Sequence, residues 1–164
     1  MMLVRAERPE DRAAIRAIHE AAFGRPDEAD LVDALRVEGA ALASLVAESD
    51  GRAIGHILFS RMWIDTEPGA IAAVALAPLA VLPGEQRRGA GGRLIRAGLE
   101  MLWGERIVIV LGHREYYPKF GFTSELARAL ENPFPAGALM AMELERSALT
   151  GVSGRVRYAR SFDL

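Results

Sequence analysis

The chain has no cysteine, and only one lysine, Lys119, among its 164 residues. Without thiols it can have no disulfide, no thiolate metal site and no cysteine nucleophile. Lys119 does not follow a glycine, so the Gly-Lys-Ser/Thr ending of a P-loop is also missing. Neither sign of charge is in excess: 20 Lys and Arg stand against 22 Asp and Glu, a net −2. That balance argues against broad binding to nucleic acid or a membrane surface. No apolar run is long enough to span a bilayer. The longest, Ile71 to Pro83, holds two prolines and reads as a strand. Arg5, Glu7 and Arg8 break any apolar run near the start, so no signal peptide is read there and a cytoplasmic location is expected. No His/Asp/Glu spacing suggests a metal site.

What is present is an ordinary globular balance, with 51% of residues apolar and 26% charged. The length suits one domain over residues 1–164, without repeats or a dividing linker. Met2–Ala6 reads as a strand. Pro9-Glu10-Asp11 opens a helix that Gly24 stops, and Pro26-Asp27-Glu28 opens a second that ends at Gly39. Leu42–Glu48 and Ala53–Ile64 form a hairpin around Ser49-Asp50-Gly51-Arg52. Ile71–Leu82 is the central strand, which Pro78 is expected to interrupt by a bulge or a missing ladder bond. Leu94, Ile95, Gly98, Leu99 and Leu102 give a third helix its buried face. Ile107–Gly112 is a continuous apolar strand, Leu139–Leu144 another, and Gly154–Phe162 the last.

The most informative segment is Leu79-Ala80-Val81-Leu82-Pro83-Gly84-Glu85-Gln86-Arg87-Arg88-Gly89-Ala90-Gly91-Gly92-Arg93. A strand is followed by a turn, then by glycines opening a helix. Amides at a helix start are unpaired and the dipole is positive there. Gly89, Gly91 and Gly92 clear side chains from those amides, and Arg87, Arg88 and Arg93 add fixed positive charge. This is a site for a pyrophosphate. A dinucleotide fingerprint fits poorly, because Leu94 stands at its third glycine position and five residues separate strand from loop.

Gln86-Arg87-Arg88-Gly89-Ala90-Gly91 resembles the Gln/Arg-x-x-Gly-x-Gly/Ala signature of the GNAT superfamily of acyl-CoA-dependent N-acyltransferases. Tyr117-Pro118-Lys119-Phe120-Gly121-Phe122 resembles that family's Tyr-x-x-x-Gly-Phe segment, in the family's order and at about its separation. The Pro-Leu-Ala-Val-x-Pro run before the loop and Gly154-Arg155-Val156-Arg157-Tyr158 are similar to a branch of small bacterial predicted acetyltransferases.

The resemblance implies an α/β (α+β) fold. A mixed, mostly antiparallel sheet of about seven strands would have its fourth and fifth strands splayed, with about four helices flanking it. It implies acetyl-CoA as acyl donor. The pyrophosphate would lie on Gln86, Arg87, Arg88, Gly89, Ala90, Gly91 and Gly92, and the pantetheine on Leu79, Ala80 and Val81. The Leu79 amide would polarise the thioester carbonyl, and Tyr117 would act as general acid toward the leaving thiolate. Some members carry a glutamate eleven residues before the Gln, where this chain has Ala75, and nothing from Ile71 to Leu82 titrates. Amine deprotonation is therefore left to ordered water or to a rim residue, with Glu28, Asp30 and His113 as candidates. His113 would share a helical face with Tyr117. His19 and His56 read as structural. The expected reaction is acetyl transfer to a primary amine of a small molecule, peptide or protein. The competing reading is a non-catalytic acyl-CoA sensor. Acidic residues near the second helix hint at a cationic acceptor, and a solvated helix face explains them equally. Analogy adds a homodimer through Leu139–Leu144.

Overall fold

The computed structural model describes all 164 residues. Three α-helices and eight strands follow the order β1 (Met2–Ala6), α1 (Arg12–Phe23), α2 (Asp27–Glu38), β2 (Ala41–Ser49), β3 (Arg52–Asp65), β4 (Ala70–Val81), α3 (Ala90–Glu100), β5 (Ile107–Leu111), β6 (Leu130–Glu131), β7 (Leu139–Glu143) and β8 (Gly154–Tyr158). The main sheet runs β1-β2-β3-β4-β5-β7, and β8 pairs with β3 and β6. Pairing is mostly antiparallel, while β4 and β5 are parallel. No helix is long and apolar enough to cross a membrane.

The chain divides into two compact units, one of Met1–Phe59 with Ala77–Leu102, the other of Ser60–Leu76 with Trp103–Leu164. In the first, β1 and β2 pair from Met2↔Ser49 to Ala6↔Leu45. Both long helices end as their glycines dictate. Gly24 and Gly39 take left-handed φ of 69° and 78°, where an L side chain would be strained. Ile15, Ile18, Val32 and Leu35 turn inward at helical spacing and are fully buried, as are Ile57 and Phe59 of β3. Gly98 of α3 leaves room for the Phe59 ring: a Cβ there would sit 2.2 Å from Cε2.

The second unit has its own core, with Met62, Ile64, Ile107, Ile109 and Leu139 at its centre. β5 pairs antiparallel with β7 along its whole length, Ile107↔Glu143 to Leu111↔Leu139. With β4 it pairs at only two positions, Val74↔Val108 and Ala75↔Ile109. The expected splay therefore shows as a ladder that stops before Pro78.

Some boundaries differ from the sequence reading. β4 runs on through Pro78, with the Ala77–Pro78 peptide cis. The expected last strand ends at Tyr158, and Arg160–Phe162 is a 3₁₀ turn. The segment Tyr117–Phe120 is likewise a 3₁₀ turn, and the α-helices number three. The added strand, β6, is two residues long and too short for a periodic signal.

Candidate functional site

The residues expected to hold the pyrophosphate lie together in the first unit. β4 ends at Val81, Pro83–Glu85 makes a 3₁₀ turn, and α3 begins at Ala90. Gly89 caps the helix start with φ of 87°, and nothing stands within 4 Å of where its Cβ would be. Arg87 also takes a positive φ, 67°, unusual for a residue with a side chain. Gln86, Arg87, Arg88 and Gly89 are exposed, Gly91 and Gly92 half-buried, and Ala90 buried beneath them. No side chain caps this helix start, and the space beside Gly89 is open. Arg88 reaches Glu85 at 3.5 Å, an exposed pair that leaves most of its charge available.

Gln86 has a role that its place in the motif did not disclose. Its amide nitrogen donates to the Val81 carbonyl at 3.0 Å, tying the loop back to the end of the strand. The only sequence signal was that it is the sole glutamine in the chain. Leu79 and Val81 are half-buried and Ala80 is buried, so β4 presents alternate faces.

Tyr117 and His113 lie in the second unit. Tyr117 is 8% exposed and packs edge-on to Phe122 and Tyr116, with ring centroids 5.9 and 5.2 Å away. Burial pushes its phenol up to about 12, so it stays protonated at neutral pH. Gly112 makes room for the ring, since a Cβ there would lie 2.7 Å from Tyr117 Cε2. Gly121 follows the turn with φ of 103°, and Phe122 then plunges into the core. This gives the Tyr-x-x-x-Gly-Phe spacing a physical reason. His113 is exposed and lies in a turn, not on an α-helix, so no helical face joins its side chain to Tyr117. Its carbonyl accepts the Tyr116 and Tyr117 amides at 3.1 and 3.2 Å.

Three carboxylates of α2, those of Glu28, Asp30 and Asp33, are already engaged. Arg25 donates twice to Glu28, at 3.0 and 2.5 Å, which holds the Glu28 carboxyl below the usual range. Asp30 and Asp33 both meet Arg16, and Asp33 also meets Arg36. That pairing weakens the hint of a cationic acceptor. No cluster of three His, Asp or Glu side chains could hold a metal ion.

The two histidines read as structural form a buried chain in the first unit. His19 of α1 and His56 of β3 are both fully buried, with Nε2 of the first 2.8 Å from Nδ1 of the second. His56 Nε2 lies 2.7 Å from the Ser44 hydroxyl, which donates to Glu7 in a short contact. Arg36 clamps Glu7 through two bonds of 2.9 and 2.8 Å. Burial pushes both imidazoles down, His19 to about 3, and Glu7 is held well below the carboxylate range by His56 and Arg36 despite its own burial.

A strand ending at a glycine-opened helix, with the next strand parallel to it for only two residue pairs, is the geometry implied by the two motifs. Residues 12–122 match the model of the Acetyltransferase (GNAT) family. The chain belongs to the GNAT acetyltransferase family.

Among its relatives is the uncharacterized N-acetyltransferase YjhQ of Escherichia coli strain K12, 47% identical over 116 residues. That match takes in 68% of this chain and 64% of the length of YjhQ. Two solved structures cover 99% of this chain. The GNAT N-acetyltransferase YhbS of Escherichia coli, in complex with CoA, is 33% identical, with a TM-score of 0.90 over 92% of its chain. A GNAT acetyltransferase of Brucella melitensis, in complex with acetyl-CoA, is 36% identical, with a TM-score of 0.83 over 99% of its chain.

Proposed function

We propose that this chain is an acetyl-CoA-dependent N-acetyltransferase that delivers the acetyl group to a primary amine by direct attack. The observation that carries the reading is the start of α3, which no side chain caps, where the space beside Gly89 is open and exposed arginines flank it. Support comes from YhbS and the Brucella protein, solved with CoA and acetyl-CoA respectively.

In this reading the amides of Arg87 to Gly92 take the pyrophosphate. Leu79 to Val81 offer backbone to the pantetheine as an added strand would. The Leu79 amide meets the charge that develops on the thioester oxygen, worth about 3 kcal/mol for one well-placed donor. Tyr117, kept protonated by burial, hands a proton to the departing thiolate. The tetrahedral centre forms as the amine nitrogen bonds to the acyl carbon, and it collapses as the carbon–sulfur bond breaks. Deprotonation of the amine is left to ordered water or a cleft group, because β4 carries Ala75 where a strand carboxylate would stand. That same absence favours the second reading, a sensor that binds acyl-CoA without turnover.

Calorimetry with acetyl-CoA on the parent and on Gly89→Glu tests the donor site. Binding by the parent, lost when a carboxylate occupies the pyrophosphate position, is the expected result. A parent that does not bind acetyl-CoA overturns the proposal. Thiol release with a panel of amines then separates enzyme from sensor.

A further inference from the structure

The hydrogens in the buried chain of the first unit can be assigned one by one. Glu7, clamped by Arg36, is a carboxylate and can only accept. The Ser44 hydroxyl gives it its one hydrogen. His56 Nε2, 2.7 Å from that oxygen, must therefore carry a hydrogen of its own. In the neutral ring this leaves His56 Nδ1 bare, and the contact at 2.8 Å requires a hydrogen on His19 Nε2. The last nitrogen, His19 Nδ1, is then a bare acceptor, buried and without a hydrogen-bond partner.

Protons fit badly into this chain. One placed on His19 Nδ1 makes a buried donor with no acceptor. One placed on His56 Nδ1 forces the shared hydrogen off His19 Nε2, and the neutral His19 must then carry its hydrogen on Nδ1, again without a partner. Either state adds a positive charge to a buried chain and leaves an N–H without an acceptor, the rarer kind of orphan in folded proteins. A second proton would put two hydrogens into a 2.8 Å gap between nitrogens, which no hydrogen bond accommodates. Both rings are fully buried, so water cannot relieve either state without movement. The charged groups around the pair are Glu7, Arg36 and, further off, Asp11, which Arg5 holds through two bonds. None of them supplies an acceptor to His19 Nδ1.

We infer that the His19–His56 pair is an acid-sensitive latch: it holds α1 against β3 while both rings are neutral, and it parts when they take up protons. The movement has a route outward. The His19 ring stacks on Phe23, the last residue of α1, with interplanar angle 4° and centroids 6.2 Å apart. Phe23 is 41% exposed and precedes Gly24 and the connection to α2. Release of His19 therefore frees the end of α1 first.

The test uses the ¹⁵N-labelled full chain and does not depend on catalysis. Imidazole nitrogen spectra at neutral pH should show both rings as Nε2–H tautomers. Amide-exchange protection of α1, corrected for intrinsic rates, should then fall as pH drops from about 6.5 to about 5, above the range in which exposed carboxylates titrate. The slope counts protons: about tenfold per pH unit for one and about a hundredfold for two. In the double variant His19→Leu/His56→Leu the slope should vanish. An Nδ1–H tautomer at either ring, or α1 protection that is flat across this window, overturns the inference. If the double variant does not fold, the tautomers and slope of the parent decide alone.

Discussion

Tyr117 shows how much of a residue's chemistry comes from its surroundings. A phenol is already protonated at neutral pH, and burial raises it further, to about 12. Tyr117→Phe removes the proton and keeps the ring. We expect turnover to fall by about 10²-fold or more while acetyl-CoA affinity stays the same; steady-state kinetics alongside calorimetry would measure both. A retained rate would remove Tyr117 from the reaction. Its neighbour Gly112 gives an independent check. Its added Cβ would come within 2.7 Å of the ring, so Gly112→Ala should displace Tyr117 and lower kcat more than it raises KM. Both residues stood in the sequence, but only Tyr117 was singled out there. Gly112 read as the end of a strand, because nothing in a linear pattern tells which ring lies above a glycine.

At the scale of elements, α3 rests on two glycines with different jobs. Gly89 is needed for its positive φ and for the space above it, whereas Gly98 is needed for the Phe59 ring below it. Gly98→Ala should destabilise the protein by about 1–3 kcal/mol through overpacking, although alanine has the better helix propensity. Gly84→Ala is the control: its Cβ meets nothing within 4 Å, and the change should stay within about 0.5 kcal/mol. Urea midpoints of the two variants would decide it, and equal midpoints would contradict the packing argument. Helix limits were legible because glycine and proline mark them locally: Gly24, Gly39 and Pro26 stand where α1 and α2 stop and start. The end of β8 and the 3₁₀ turn at Tyr117 were less legible. Short runs of turn do not repeat often enough to show a period, and tertiary packing settles them.

For the whole molecule, pH dependence follows from groups that burial and pairing have shifted. His19 and His56 sit below their ordinary value in the folded chain, chiefly through desolvation. The unfolded chain binds those protons more readily, so their contribution is present above about pH 6.5 and is lost as pH falls toward the depressed folded values. Glu7 has the same sign at lower pH: its contribution begins to be lost below the ordinary carboxylate range. Global stability, read as the urea midpoint, should be level just above neutral pH and decline steadily on acidification from about pH 6.5. A midpoint that rises on mild acidification would show the sign to be wrong. Acid loss confined to pH below about 4.5 would assign it to carboxylates alone.

The sequence by itself determined most of the elements and the glycine-opened helix start that follows β4. Alternation and helical spacing are local properties. Gly89, Gly91 and Gly92 before a helix expose its amides whatever the rest of the chain does. Only the tertiary structure decided which charges are spent and which hydrogen bonds close. Arg61 donates to Glu105, 44 residues away, and Arg36 reaches back to Glu7. Glu28, a candidate proton acceptor by sequence, is held by Arg25. His19 and His56, 37 residues apart, became one buried pair. A hydrogen bond is set by a distance of about 3 Å and an angle, and neither can be read from separation along the chain.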